Sequence, residues 1–362
     1  MDIRSIKEDW DTIKKRWEAW WAHDVYDRPL LLVTCPKKKP ELPEELADFK
    51  YESENLKRKW FGADYLIKKM LYTLHTTHYG GESIPTLEHG WSVGHAVPLG
   101  CEPIFMQNTI WAHRVPVEPG KKYPPVVFDE NNYWWRQMVL NTKEISEASM
   151  RRYFVMPMWG NHAADNLSIL RGTENLLFDL TDDIDWVIKS VRCVTDAMLR
   201  QFEVLWELSP LTGLEGSVNF CSCWSPKRTL GFDSDFSCMI SPEMFKKVFV
   251  PPLLDIMNTV DHRLYHLDGP LAAKVHIDML LSLPEIDAIQ WVAGDGSSSS
   301  DGWLSLVKKI QAAKKSVLHY AAYDNVIPLL KELRPEGLCI CTWAADEDDA
   351  RRLVEQADKM FR

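Results

Sequence analysis

The sequence predicts an α/β fold: a (β/α)8 TIM barrel with an N-terminal helical extension (about 1–28) and long early loops, as a single domain over 1–362. Three observations predict it. Strand-like and helical segments alternate through the second half of the chain, the pattern of a parallel sheet. Strand-like segments at 30–34, 103–106, 153–158, 217–221, 264–268, 287–292, 317–320 and 338–342 number about eight, which is what a closed barrel requires. No G-x-G-x-x-G phosphate loop follows any of them, which disfavours an open doubly wound sheet. There is no internal repeat and no composition break that would mark a second domain.

Each element has a local reason. Trp10, Ile13, Trp17 and Trp20/Trp21 recur at helical spacing, so residues 3–23 read as a helix with a buried tryptophan stripe rather than a ligand site. Asp27-Arg28-Pro29 ends it, and Leu30-Leu31-Leu32-Val33-Thr34 is a buried strand. A Pro- and Lys-rich loop (Pro36 to Pro43) leads to a helix near 55–69. Residues 72–125 carry scattered Gly, Pro and His and read as long connections. Helices follow at 133–150 and 167–178. Asp182–Asp185 cap a longer one whose face is Val187, Val191, Val194, Met198, Phe202 and Leu205. Ser241-Pro242-Glu243-Met244 opens another helix, with Ser as N-cap, Pro at the first helical position and Glu in the first turn. Helices near 271–282, 303–314, 324–333 and 346–361 separate the last strands. Gly294–Gly302, with Ser297 to Ser300, is a loop.

With 46% hydrophobic and 26% charged residues the chain can build a sizeable core. A net charge of −10 disfavours a nucleic-acid role, because phosphate binding needs a basic surface; Lys37-Lys38-Lys39 and Lys121-Lys122 are the short exceptions. The N-terminus has no apolar signal core and no apolar run approaches a membrane span, so the expectation is a cytoplasmic protein. Eight cysteines without a secretory signal read as reduced thiols, most of them small buried hydrophobes, although the pairs Cys221/Cys223 and Cys339/Cys341 could be ligands.

In a barrel of this type the active site lies at the C-terminal ends of the strands. That places Trp159, His162, Trp224, Asp235, Gln290, Trp291, His319 and Trp343 as substrate-binding candidates, tryptophan walls with a few directional polar groups. The sharpest pair is His266 and Asp268. Residues i and i+2 of a strand share a face, so an imidazole nitrogen and a carboxylate oxygen point the same way. Cys339 from the last strand would complete a three-ligand zinc site with an open position for substrate. General acid/base work by His266 with Asp268 is the other functional reading. A loop-bonding histidine beside a helix-capping aspartate is the structural one. Asp233 and Asp235, like Asp165 and Arg171, read equally as ligand contacts or as turn and ion-pair residues.

At these residues the chain resembles the uroporphyrinogen decarboxylase superfamily. The markers, spread over roughly 85–360, are Leu99-Gly100-Cys101-Glu102, Asn108-Thr109-Ile110-Trp111, Leu170-Arg171-Gly172-Thr173-Glu174 with Asp179, Ile240-Ser241-Pro242-Glu243-Met244-Phe245 with Pro251-Pro252, His266–Gly269 and Gly337–Cys341. The resemblance implies a (β/α)8 barrel. It is nearer the zinc-dependent methyltransferases that exchange methyl groups between corrinoid proteins and thiols. That branch carries H-x-C-G in the fifth strand; here His266 and Gly269 match, Asp268 replaces the cysteine, and Cys339 stands where the last cysteine falls. Cys341 or Asp295 would be an extra ligand. The decarboxylase branch fits worse, because Thr34-Cys35-Pro36-Lys37-Lys38-Lys39 occupies the place of its arginine-rich loop, and a many-carboxylate tetrapyrrole needs those arginines.

The expectation is a zinc-dependent methyltransferase with His266, Asp268 and Cys339 on the metal and a corrinoid protein as partner. The alternatives are a metal-free decarboxylase or lyase on the same barrel with His266 and Asp268 as acid and base, and a non-catalytic binder stacking a ligand on Trp224, Trp291 or Trp343.

Overall fold

The computed structural model describes all residues except 1, 52, 90–92, 114–116, 118–122, 157, 159, 293–302 and 362, and only the backbone of 160 and 161. The main sheet has eight strands: β1 (Leu30–Pro36), β2 (Thr77–Gly81), β3 (Gly160–Asn161), β4 (Thr229–Asp233), β5 (His262–Asp268), β6 (Ala288–Val292), β7 (Ser316–Tyr320) and β8 (Leu338–Trp343). Their order is β2-β1-β8-β7-β6-β5-β4-β3. The seven strands from β1 to β3 in this order are parallel, and β2 pairs antiparallel with β1. Helices between consecutive parallel strands supply the crossover connections that parallel pairing requires.

The described ladder ends at β2 and β3, and ring closure is not part of it. The count of eight agrees with the sequence reading, but the membership differs. The segment near 103–106 forms an antiparallel hairpin, Glu102–Phe105 against Ile110–His113, away from the main sheet. Phe154–Met156 pairs with Thr86–Glu88 in a separate parallel ribbon. Ser217–Val218 pairs with Trp224–Ser225 across a tight turn. The parallel neighbour of β5 is instead β4, which the sequence reading passed over.

The period of two in the strands sorts their side chains onto two faces. Leu31, Val33, Tyr265, Leu267, Ile289, Trp291, Val317, Leu338 and Ile340 pack in the large core that the helices cover. Leu30, Leu32, Leu264, Ala288, Leu318 and Cys339 face a second core that also holds Trp10, Ile13, Trp17, Trp20 and Trp21. The tryptophan stripe is therefore buried, as its spacing predicts. It sits at the N-terminal ends of the strands. Ser316 Oγ donates to the Trp20 carbonyl (2.6 Å), and the Trp21 ring stacks on His262 at 4.7 Å. That plug leaves the C-terminal ends open for a site.

Local signals hold elsewhere. Ser241 caps the helix Pro242–Val248 by accepting from the Met244 N–H, and Asp183 caps Ile184–Trp206 through the Trp186 N–H. No helix among the described residues is long and apolar enough to cross a membrane.

Candidate functional site

β4 ends at Asp233 and β5 at Asp268, side by side. Just beyond them lies a cavity of about 300 Å³, lined by Ser234, Asp235, Ser237, Cys238, Tyr265, His266, Leu267, Asp268, Gly269, Pro270, Leu271 and Ala272. β5 supplies the imidazole, and its neighbour β6 holds that ring in place. His266 and Gln290 are register partners, and His266 Nδ1–H donates to the Gln290 amide oxygen. That bond fixes the tautomer with Nε2 as the unprotonated nitrogen. The Phe220 ring meets the imidazole edge-on at 5.7 Å.

Asp268 occupies the N-cap position of the helix Gly269–Ser282 but makes no side-chain cap bond, so its carboxylate remains available at the cavity wall. Asp235 lines the same cavity. Burial and then the charge of Asp268 push its carboxyl above the usual range. Behind them stand Asp233 and Asp165. Burial and then Asp235 raise the Asp233 carboxyl to about 7, and burial with Asp233 raises that of Asp165 well above its ordinary value. Asp165 Oδ1 accepts the Phe236 N–H (2.7 Å), while Asp165 Oδ2 and Asp233 Oδ1 are enclosed without a hydrogen-bond partner.

The other sequence candidates scatter. Cys339 is wholly buried in the core with Leu30, Leu264, Ala288 and Leu318. Burial and then Cys341 hold its thiol well above the ordinary value. Cys221, Cys223, Cys341 and Tyr320 share that environment, and burial pushes the Cys341 thiol up to about 12. These cysteines are free, protonated thiols at neutral pH. Among the described residues no group of three or more His, Cys, Asp and Glu side chains is placed to hold a metal ion, so His266, Asp268 and Cys339 do not form a preassembled ligand set.

Gln290 and Asp235 are at the site, one as a positioning residue and one in the wall. Trp291 and His319 lie on the opposite, helix-covered face, where the Trp291 ring packs on Trp303 at 4.8 Å and on His319 at 6.1 Å. Trp224 is buried against Trp10 in the N-terminal plug. His162 is buried too, with both ring nitrogens bonded: Nδ1 accepts the Ala164 N–H and Nε2–H donates to the Phe249 carbonyl. Among the described candidate tryptophans Trp343 alone is exposed, at 63%, stacked on Tyr320 at the end of β8. Trp159 and Asp295 lie outside the described residues. Arg171 pairs bidentately with Asp179, which settles its ambiguity in favour of structure.

Sequence reasoning passed over Ser234 and Cys238, which follow β4 into the cavity. The signal was faint because Gly231 interrupts β4. A Cβ at that position would come within 2.2 Å of the Phe220 ring, the ring that rests on His266.

No family model matches this chain, and no curated protein sequence matches it. A solved structure of a methyltransferase from Methanosarcina mazei is similar, with a TM-score of 0.63 at 12% identity over 97% of this chain and 99% of that one. At that identity the likeness concerns the fold, and it extends over nearly the full length of both chains.

Proposed function

We propose that this chain is a methyltransferase, acting at the cavity beyond β4 and β5. The observation that carries the proposal is an oriented imidazole, His266 held by Gln290, at an open cavity in a chain that shares its fold along nearly its whole length with a methyltransferase. His266 Nε2 is the base for an acceptor that must lose a proton to become a nucleophile, and Gln290 stabilises the imidazolium by accepting from Nδ1–H. The strand ladder would close into a barrel through Thr86–Glu88, which follows β2, and Phe154–Met156, which precedes β3, with the reaction at its C-terminal mouth. A corrinoid-bearing protein is the proposed partner in the methyl exchange. The support for a protein partner is an apolar rim: Trp343, Leu271 and Met239 are all large and exposed there.

The residues present do not fit the zinc that the sequence resemblance implies. His266 offers a suitable nitrogen and Asp268 an oxygen. The sulfur of Cys339 is in the apolar layer with Leu264 and Leu318, and no third donor converges among the described residues. We derive no step through a metal. The test is a methyl-transfer assay on protein purified without added metal, with and without a chelator, alongside metal analysis. Activity that survives chelation and falls with His266→Ala supports the proposal as written. Activity lost on chelation and restored by zinc would put the metal back into it. No methyl transfer to thiol or corrinoid acceptors would remove it.

A second reading has its own observation. A carboxyl raised to about 7 at Asp233, with His266 close enough to act on it electrostatically, is a proton donor poised near neutral pH. A decarboxylase or lyase would use that pair. Solvent deuterium appearing in the product, with no methyl acceptor present, would select this reading.

A further inference from the structure

We infer that the cavity beyond β4 and β5 binds a small organic ammonium ion. The inference deepens the methyl-transfer reading by naming its substrate class. It rests on that reading for the reaction but not for the binding.

The charge at the site is one-sided. Asp235 and Asp268 form part of the cavity wall, Asp233 and Asp165 stand behind it, and the lining contains no Lys or Arg. Among the described residues none of the four carboxylates has an ion-pair partner: Arg and Lys side chains elsewhere pair with other acids. Acids held together out of water either keep a proton or gain a cation that joins them. The repulsion is visible at Asp165, Asp233 and Asp235, whose carboxyls are all pushed upward, by burial first and then by a neighbouring acid.

A second, independent feature points to a ligand. Ser234 lines the cavity, is 5% exposed, and its Oγ has no hydrogen-bond partner. A hydroxyl buried without a partner is expected to meet one in a bound state. Serine accepts from an N–H donor as readily as it donates.

The form of the cation follows from how the donors are spread. A metal ion needs three or more ligands at about 2.0–2.6 Å from one point. The described residues provide no such convergence. Acids distributed around a space of about 300 Å³, with Leu267, Pro270, Leu271 and Ala272 as apolar surface, suit a charge carried on a molecule with methyl or methylene groups.

The test is calorimetric titration of the full chain at low ionic strength with trimethylammonium chloride and with tert-butanol, a neutral branched analogue of similar size. Trimethylammonium should bind and tert-butanol should not. Asp235→Asn and Asp268→Asn should each weaken binding by about tenfold, the usual effect of removing a charged partner, and the double variant should abolish it. Circular dichroism confirms that the variants fold, and competition by trimethylammonium against tetramethylammonium on the native chain gives a readout that needs no variant. Equal binding of the two compounds, no binding of either, or stoichiometric Zn²⁺ uptake that Asp235→Asn abolishes while trimethylammonium fails to bind would each overturn the inference. Methyl transfer from neutral donors by a chain that ignores trimethylammonium would overturn it and leave the reaction standing. Ammonium binding without any methyl transfer would support it and remove the reaction.

Discussion

Gln290 sits directly across from His266 on the neighbouring strand and takes its Nδ1 proton as a hydrogen bond. Gln290 is only 2% exposed, so this contact is set by the sheet itself rather than by a mobile loop. Replacement by leucine keeps the volume approximately but removes the acceptor. Gln290→Leu should lower kcat by about 10–100-fold, the range seen when an orienting partner of a functional histidine is lost, with little change in KM. Gln290→Glu restores an acceptor and adds a negative charge beside the imidazole. It should recover much of kcat and move the acidic limb of the pH–rate profile, where His266 must lose its proton to act as base, to higher pH. Steady-state kinetics across pH check both. A merely structural Gln290 would give losses of stability with no displaced pH profile.

Gly231 is bound to Phe220 by geometry. A methyl group there would meet the Phe220 ring at 2.2 Å, and that ring leans on His266. Gly231→Ala should destabilise the chain by about 1–3 kcal/mol through overpacking in urea denaturation. The Phe220→Leu change should recover part of that loss when combined with it, giving a coupling energy of about 0.5 kcal/mol or more in a double-mutant cycle. Strict additivity of the two changes would contradict the contact.

The same glycine shows where the sequence stopped being legible. The tryptophan helix, the strands 264–268, 287–292, 317–320 and 338–342, and the Ser241 cap were readable because each rests on local periodicity or capping chemistry. The strand beside β5 was not, because Gly231 and the flanking aspartates look like turn residues, and its reason for being a strand is the distant Phe220. The face on which a side chain lies was half legible. His266 and Asp268, which the i, i+2 rule puts on one face, both line the cavity, as do Tyr265 before them and Leu267 between them. The same rule puts Trp291 and His319 on the other face, since each is one residue out of register with Gln290 and Leu318. Whether Cys339 reaches the level of His266 depends on strand stagger, which no local pattern encodes. In the fold it joins Leu30, Leu264 and Leu318 in the apolar layer.

Glu82 locks the N-terminal segment to the sheet. It is fully buried and takes hydrogen bonds from Arg28 Nη1 (2.9 Å) and Nη2 (3.0 Å), from Arg16 Nη1 (2.7 Å) and from the Leu31 N–H (2.8 Å). Burial alone would raise its carboxyl, and Arg28, Arg16 and the Leu31 N–H together outweigh that and hold it below the ordinary value. Glu82→Gln leaves Arg28, itself 3% exposed, with Asp358 as its remaining charge partner. The expected cost is about 3–5 kcal/mol, the range for breaking a buried pair. Because the native carboxyl is depressed, its contribution is present above the ordinary glutamate range and is lost as pH falls through and below it. The difference between native and Glu82→Gln unfolding midpoints should therefore shrink from pH 6 to pH 3. A constant difference across that range would mean that the charge of Glu82 is not what stabilises the joint.

His162 gives a second acid sensitivity of the same sign, with burial of a neutral ring as its cause rather than an ion pair. It caps the helix Ala163–Arg171 through Nδ1, which accepts the Ala164 N–H at 2.8 Å, while Nε2–H donates to Phe249 at 3.0 Å. Both contacts require the neutral ring, since a proton on Nδ1 would destroy the acceptor. Burial depresses its pKa from about 6.5 to about 4. The unfolded chain therefore binds a proton near pH 6.5 that the native chain refuses until about pH 4, so stability rises with pH across that window and is lost as pH falls through it. For a shift of this size the contribution is on the order of 3 kcal/mol when fully expressed. His162→Asn keeps a side-chain oxygen for the Ala164 N–H, as asparagine is a good N-cap, but cannot titrate. The variant should be less stable than the native chain at pH 8, where the Phe249 contact is lost, and the gap should narrow steadily between pH 6.5 and pH 4. Its activity at pH 8 should be close to native, because His162 lies in the core and not at the cavity. Parallel stability curves over that window, or a selective loss of substrate affinity, would return His162 to the site where its position after a strand first placed it.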